Sequence, residues 1–259
     1  MIHFSKRSAM VAVFGLAALA GPAKAGLILS VEAPKVEAST VSGVATETFN
    51  GFDTRNNYNL LSTTVGTLTS PGEAIVAADQ FGGATSPAVP SGSSSKYFAI
   101  GVESGKTTAS LALNGSQSYF GFWWSAADAL NSVELYSKGT LLATLNTGVA
   151  LSALNANTKY LGNPNTGADN SEPFAYLNFT ATGGTTFDQI VFNNANLSTG
   201  FEMDNFSVLK GPTAVSGTVI NNGLILAAVP GPSSLALATV GGAIGLGAAR
   251  LRRKQAVAA

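Results

Sequence analysis

The chain has 259 residues, no cysteine and a single histidine, and its 14 basic and 14 acidic residues give a formal charge of zero. Seven of the basic residues lie in the first 25 and last ten positions, so residues 26–249 hold seven bases against all fourteen acids, a formal charge of −7. That balance argues against nucleic acid and anionic surfaces as partners of the body. The absence of cysteine excludes disulfides and thiolate chemistry, and the loss of His3 with the leader described next would exclude imidazole-based catalysis and zinc sites, leaving carboxylates, tyrosine or lysine to any enzyme built here.

At the N-terminus a basic stretch with His3, Lys6 and Arg7 precedes an apolar run over residues 9–20 and the small-x-small site Ala23-Lys24-Ala25. This is the order of a secretory leader, with cleavage by signal peptidase expected between Ala25 and Gly26. The run is too short to span a bilayer, so a signal helix over residues 1–25 is the expectation. Residues 26–44 are small and polar without a sustained period and read as an N-terminal arm or an edge strand.

From residue 45 to residue 210 strand signals recur at short spacing. They are "ATETF" (45–49), "STTVGTLT" (62–69), "AIVAADQF" (74–81), "KYFAIGV" (96–102), "TTASLAL" (107–113), "SYFGFWW" (118–124), "SVELYS" (132–137), "TLLATL" (140–145), "FAYLNFT" (174–180), "FDQIVFN" (187–193) and "FEMDNFSVL" (201–209). "SKGT" at residues 137–140 marks a tight hairpin, with "NGS" and "TGG" as similar stops. Helical periodicity is confined to residues 126–131 and 150–157. Many short strands without intervening helices predict an all-β fold, an antiparallel two-sheet sandwich of jelly-roll type. Residues 155–173 form a long Asn/Gly/Pro loop, and residues 211–228 a linker with room for one last strand at "LILAAV".

Strand alternation divides "SYFGFWW" into a core face with Phe120, Phe122 and Trp124 and a second face with Tyr119, Gly121 and Trp123. Two readings of the second face stand side by side. Tyr119 and Trp123 flank a gap in which a sugar ring lies against an aromatic face, or they are covered by the long loop and packed. The same alternation places Glu202 and Asp204 on the side of Phe206 and Val208, where unpaired carboxylates would be costly. Three resolutions are open: a Ca²⁺ ion shared with Glu47 or Asp53, pairing with Arg55, or a bulge that turns both acids outward. A glycosidase would need two carboxylates in one cleft, and Asp128, Glu134, Asp169 and Glu172 are available, but no spacing singles out a general acid.

The C-terminal stretch opens with "VPGPSS" at residues 229–234, where Pro230 and Pro232 interrupt regular structure. An apolar, Gly/Ala-rich run follows over residues 233–249, at the lower limit of a membrane span, with Gly241 and Gly245 four apart as a close-packing pair. Arg250, Arg252, Arg253 and Lys254 come directly after and would stay cytoplasmic, so the body is expected outside.

This tripartite tail of motif (Val229, Pro230, Gly231, Pro232 and Ser233), helix (235–249) and basic cluster (250–254) resembles the PEP-CTERM sorting signal of Gram-negative bacteria. Gly231 stands where that family usually has Glu. The resemblance implies an exported protein handled by a membrane exosortase, held transiently in the inner membrane through its C-terminal helix, then released to the cell surface or an exopolysaccharide matrix. The series "ETFNGF", "YFGFWWSAADALNSVELYSKGTLLATL", "EPFAYLNF", "FDQIVFNN" and "GFEMDNFSV" is similar to the bodies of a subgroup of exosortase-dependent surface proteins, and "DNFSV" resembles the last strand of galactose-binding-like jelly rolls. That likeness implies a glycan-binding or adhesive sandwich and a structural Ca²⁺ at the acids of the last strand. The resulting expectation is a non-enzymatic surface or matrix protein with extracellular polysaccharide as partner, set against a carboxylate-based glycan hydrolase and a structural coat protein without ligand.

Overall fold

Runs of β-branched and aromatic residues broken by Gly, Asn and Ser become fourteen strands in the computed structural model, which describes residues 26–84 and 95–227. In chain order they are β1 (Gly26–Val31), β2 (Ala45–Glu47), β3 (Arg55–Ser62), β4 (Gly66–Ala77), β5 (Lys96–Gly101), β6 (Thr108–Gln117), β7 (Tyr119–Ser125), β8 (Asn131–Ser137), β9 (Thr140–Leu145), β10 (Ala175–Thr182), β11 (Phe187–Asn194), β12 (Gly200–Leu209), β13 (Thr218–Val219) and β14 (Leu224–Leu226). One helix, α1 (Thr147–Asn155), and a single 3-10 turn (Thr158–Tyr160) separate β9 from β10. Ala25, the motif residues Val229, Pro230, Gly231, Pro232 and Ser233, the apolar run and Arg250, Arg252, Arg253 and Lys254 lie outside the described residues.

Every strand pairing is antiparallel, and the strands form one hydrogen-bonded run, β13-β1-β10-β7-β12-β5-β4-β6-β11-β8-β9-β14, with β2 added to β12 and β3 to β4. The run doubles over at β4. Residues 66–69 pair with β6 in one layer and residues 74–77 with β5 in the other. Between them stands Ser-Pro-Gly, where proline has no N–H to give a ladder and glycine permits a bend. The expected two-sheet sandwich is therefore present, built from one sheet folded on itself.

The core lies between the layers. Phe120, Phe122 and Trp124 of β7 point into it as alternation requires, and Phe192 of β11 reaches across from the other layer. The Phe192 ring centre lies 6.3, 6.1, 6.0, 6.0 and 5.2 Å from those of Phe98, Phe120, Phe122, Phe201 and Phe206. These are favourable aromatic separations, so one side chain stitches β5, β7 and β12 to β11.

Several boundaries differ from the expectation for local reasons. Residues 63–65 are a turn, held by Thr63, and split the expected 62–69 strand into β3 and β4. β6 runs through Asn114-Gly115-Ser116, read as a stop, because Gly115 takes φ +83° and the ladder with β11 absorbs the irregularity. Residues 126–131 are not helical, whereas the 150–157 signal lies on α1, capped by the Asn146 side chain. The arm is half strand: residues 26–31 are β1, inside the sheet, and residues 32–44 cross its outer face. Residues 211–228 are not a free linker, since Ile220 is buried, Leu224 packs on the core, and β13 and β14 pair with β1 and β9.

The outer face of the β10-β7-β12-β5 layer carries a cover of non-strand segments. Tyr160 Oη donates to Glu32 O at 2.6 Å, Asn205 Nδ2 to Glu37 O at 2.7 Å, and Asn163 Nδ2 to Asp79 O and Gln80 O at 3.2 Å. Asn165 Nδ2 reaches Gly83 O and Glu37 Oε2, each at 3.2 Å. The cover encloses a second small core of Ala84, Trp123, Ala126, Phe174 and Tyr176.

Candidate functional site

Tyr119 and Trp123 are 0% and 1% exposed, which corrects the expectation of an open sugar-stacking face. The gap at Gly121 is filled: a Cβ there would come within 2.4 Å of Tyr119 Oη and 2.7 Å of Tyr176 Cε1. Tyr119 Oη donates to Asn178 Oδ1 at 2.6 Å and also contacts Ser39 Oγ. Burial pushes both tyrosine hydroxyls upward, so they serve as neutral hydrogen-bonding groups.

The four expected calcium ligands are not brought together. A bulge at Asn205, with φ +49°, sets three steps of β12 (Asp204 to Ser207) against two steps of β7 (Trp123 to Gly121). Phe201, Met203, Phe206 and Val208 therefore all face the core, while Glu202 and Asp204 turn to the covered outer face, opposite to simple alternation. Asp204 is fully buried and accepts from Ala84 N at 2.9 Å and Asn205 N at 2.7 Å. Burial holds its carboxyl well above the usual range. Glu47 accepts from Phe49 N at 2.8 Å and Thr64 N at 2.9 Å, bracing two turns, and Asp53 is exposed. Arg55 is exposed over the Tyr58 ring at 5.3 Å, not paired inside. Among the described residues no group of three or more His, Cys, Asp or Glu side chains is arranged to hold a metal ion.

A different set of acids does converge. In the strand order β10-β7-β12-β5, the C-terminal ends of β7 and β5 and the N-terminal ends of β10 and β12 share one end of the layer. Asp128 follows β7, Glu103 follows β5, Glu172 precedes β10 and Glu202 opens β12. These four line a pocket of about 220 Å³ whose rim includes the exposed side chains of Phe81 and Val102. Glu134, the other acid considered for hydrolysis, is elsewhere, accepting from Tyr136 Oη on β8 at 2.7 Å.

The pocket acids bond to one another. Glu202 is driven up by burial and then by the Glu103 charge, and Glu103 is raised by burial, so their hydrogen bond has Glu202 as the proton-bearing partner. Glu172 is raised to about 7 by burial, by its hydrogen bond to Asp169 and by the charges of Asp169 and Asp128. Asp128 is raised by burial, partly offset by the N–H groups of Leu130 and Asn131. Glu103 Oε2 and Asp169 Oδ2 are buried without a hydrogen-bond partner. Asp128, Asp169 and Glu172 were visible as candidates in the sequence, but Glu103 and Phe81 carried no local signal.

This arrangement fixes the sign of a pH response. The folded acids hold protons more tightly than the unfolded chain, so from the ordinary value of 4.5 up to about 7 the folded state binds more protons and stability falls as pH rises. The contribution is present below that window and lost above it. The expected result is a melting temperature that declines from about pH 5 to about pH 8, with Glu172→Gln flattening the decline near neutrality. A melting temperature that rises over that interval would remove the paired acids from the account.

Comparison of the chain with protein-family models, curated proteins and solved structures finds no match to any of them.

Proposed function

We propose that the chain is an exported, non-catalytic surface or matrix protein whose jelly-roll-like body takes a residue of extracellular polysaccharide into the acidic pocket. The leader helix and the PEP-CTERM-like tail supply the route: signal peptidase cuts after Ala25, the apolar run holds the body at the inner membrane of a Gram-negative cell, and an exosortase releases it near residues 230–233. The observation that supports the binding reading is the pocket itself. Carboxylates accept hydrogen bonds from sugar hydroxyls, and Phe81, 37% exposed, offers an apolar ring at their edge. Its volume of about 220 Å³ is below the roughly 300 Å³ at which pockets for larger ligands begin, which favours one sugar ring.

A second reading is a glycan hydrolase, favoured by Glu172 near neutrality beside Asp128. A carboxyl group that keeps its proton toward neutrality, with a second carboxyl group lining the same pocket, is the pair of groups that glycosidic cleavage needs. Retention of the protein on exopolysaccharide, with reducing ends assayed in parallel, separates the two. Binding predicts retention lowered about tenfold or more by Asp128→Asn with Glu172→Gln, and no release of reducing ends. Release abolished by Glu172→Gln alone would establish the hydrolase, and retention unchanged in the double variant would empty the pocket of function. Intact mass of the surface-recovered protein tests the route: a form still ending at Ala259 contradicts tail removal.

A further inference from the structure

The last described stretch differs from the rest of the surface. Of the eight large hydrophobic side chains exposed among the described residues, Val215, Val219, Ile225 and Leu226 fall within twelve positions, at 36, 48, 58 and 54% exposure. No residue from position 211 to position 227 is charged. The stretch closes one side of the sandwich, with Ile220 N donating to Leu29 O of β1 at 2.9 Å and Ala227 N to Leu142 O of β9 at 2.8 Å. Beside it α1 carries no charged residue, and the groove of about 840 Å³ between α1 and residues 218–221 has no charged lining residue. Two acids adjoin this surface: Glu134, opposite Thr144, which is opposite Ile225, has its carboxylate engaged by Tyr136, and Glu32 is buried and accepts from Ser216 Oγ at 2.7 Å and Thr40 Oγ1 at 2.8 Å.

Five residues, a span of six backbone steps, separate Ala227 from Ser233, where the apolar run begins. Fully extended, they reach about 20 Å. With Ser233 at the bilayer surface, the end of β14 lies within that distance of lipid. A body of formal charge −7 is repelled by an anionic leaflet wherever its acids face it, and the β13-β14-α1 side is the surface where they do not.

We infer that, while the tail is attached, the body rests against the phospholipid headgroup layer through its uncharged β13-β14-α1 side, with Ile225 and Leu226 as the side chains that enter it. This rests on the tail being a membrane segment. The β3 edge, where Leu60 is 61% exposed, lies six strand spacings from β14 across one layer, roughly 29 Å away, and stays in solution.

The absence of cysteine allows a direct test. The chain with its tail is given a single labelled cysteine as I225C, L226C or L60C and reconstituted into phosphatidylethanolamine/phosphatidylglycerol vesicles containing a lipid with a spin label on its headgroup. The fluorophore at 225 or 226 is expected to be quenched at least about twofold more than that at 60. Sedimentation with the vesicles but equal quenching at all three positions would overturn the orientation and leave the tail reading standing. A chain left in the supernatant would overturn the tail reading and this inference with it.

Discussion

Trp123→Ala is expected to destabilise the protein by about 3–5 kcal/mol, as much as Trp124→Ala, although the two side chains point to opposite faces of one strand. Trp124 belongs to the main core and donates Nε1–H to Asn131 Oδ1 at 2.9 Å. Trp123 belongs to the second core, 6.4 Å from the Phe174 ring centre and directly opposite Asp204 on β12. Truncating either removes a fully desolvated indole and leaves a cavity among neighbours fixed by sheet hydrogen bonds. Urea unfolding of both variants measures this. If Trp123→Ala unfolds at the wild-type midpoint while Trp124→Ala does not, the cover is not packed and the outer aromatic face is open.

Gly101→Ala should cost about 2–5 kcal/mol, combining backbone strain with overpacking. Gly101 ends β5 at φ +100°, and a Cβ would stand 2.2 Å from Thr199 O and 2.5 Å from Asn194 Nδ2. Both atoms are committed, since Asn194 Nδ2 donates to Thr199 O at 2.7 Å and Val102 N donates to the same oxygen at 3.0 Å. The displaced strands are those that carry Glu103 and Glu202, so the pocket should lose its shape along with stability. Gly105→Ala is the control: it has φ +69° but open space around its Cβ, and should show only the conformational cost of about 1–2 kcal/mol. Equal melting temperatures for the two variants would mean that the contact with Thr199 does not constrain the loop.

Much of the fold was legible because strand patterning is local. β9 and the hairpin at Lys138-Gly139, both with positive φ, stand where "TLLATL" and "SKGT" place them. β3 escaped notice because its asparagines give no apolar alternation, and β4 was read as two pieces because Ser-Pro-Gly interrupts it. The acids of β12 were misplaced for a reason no periodicity reveals. A single residue inserted at Asn205 inverts every side chain before it relative to those after it, and nothing in "FEMDNFSV" announces the bulge. The outer cover was invisible as well, because it is assembled from residues 32–44, 79–84 and 158–174, which meet only in three dimensions. The pocket shares that origin: Glu103 and Glu202 are 99 positions apart and become neighbours only because β5 and β12 lie antiparallel side by side.

The pairing of β1 with β10 has a kinetic side. Gly26 faces Thr182, and the opposite edge of β1 takes β13, so the first strand to be made finds neither partner until most of the body exists. At about 5–20 residues per second, ribosomal synthesis leaves β1 waiting roughly 8–30 s for its inner neighbour. During that interval Leu29 and Val31, which end up in the core, have no sheet to enter. Long sequence separation makes closure of such a topology slow and late. The chain therefore remains threadable while it is being made, and its final shape is sealed by residues near the end of the body.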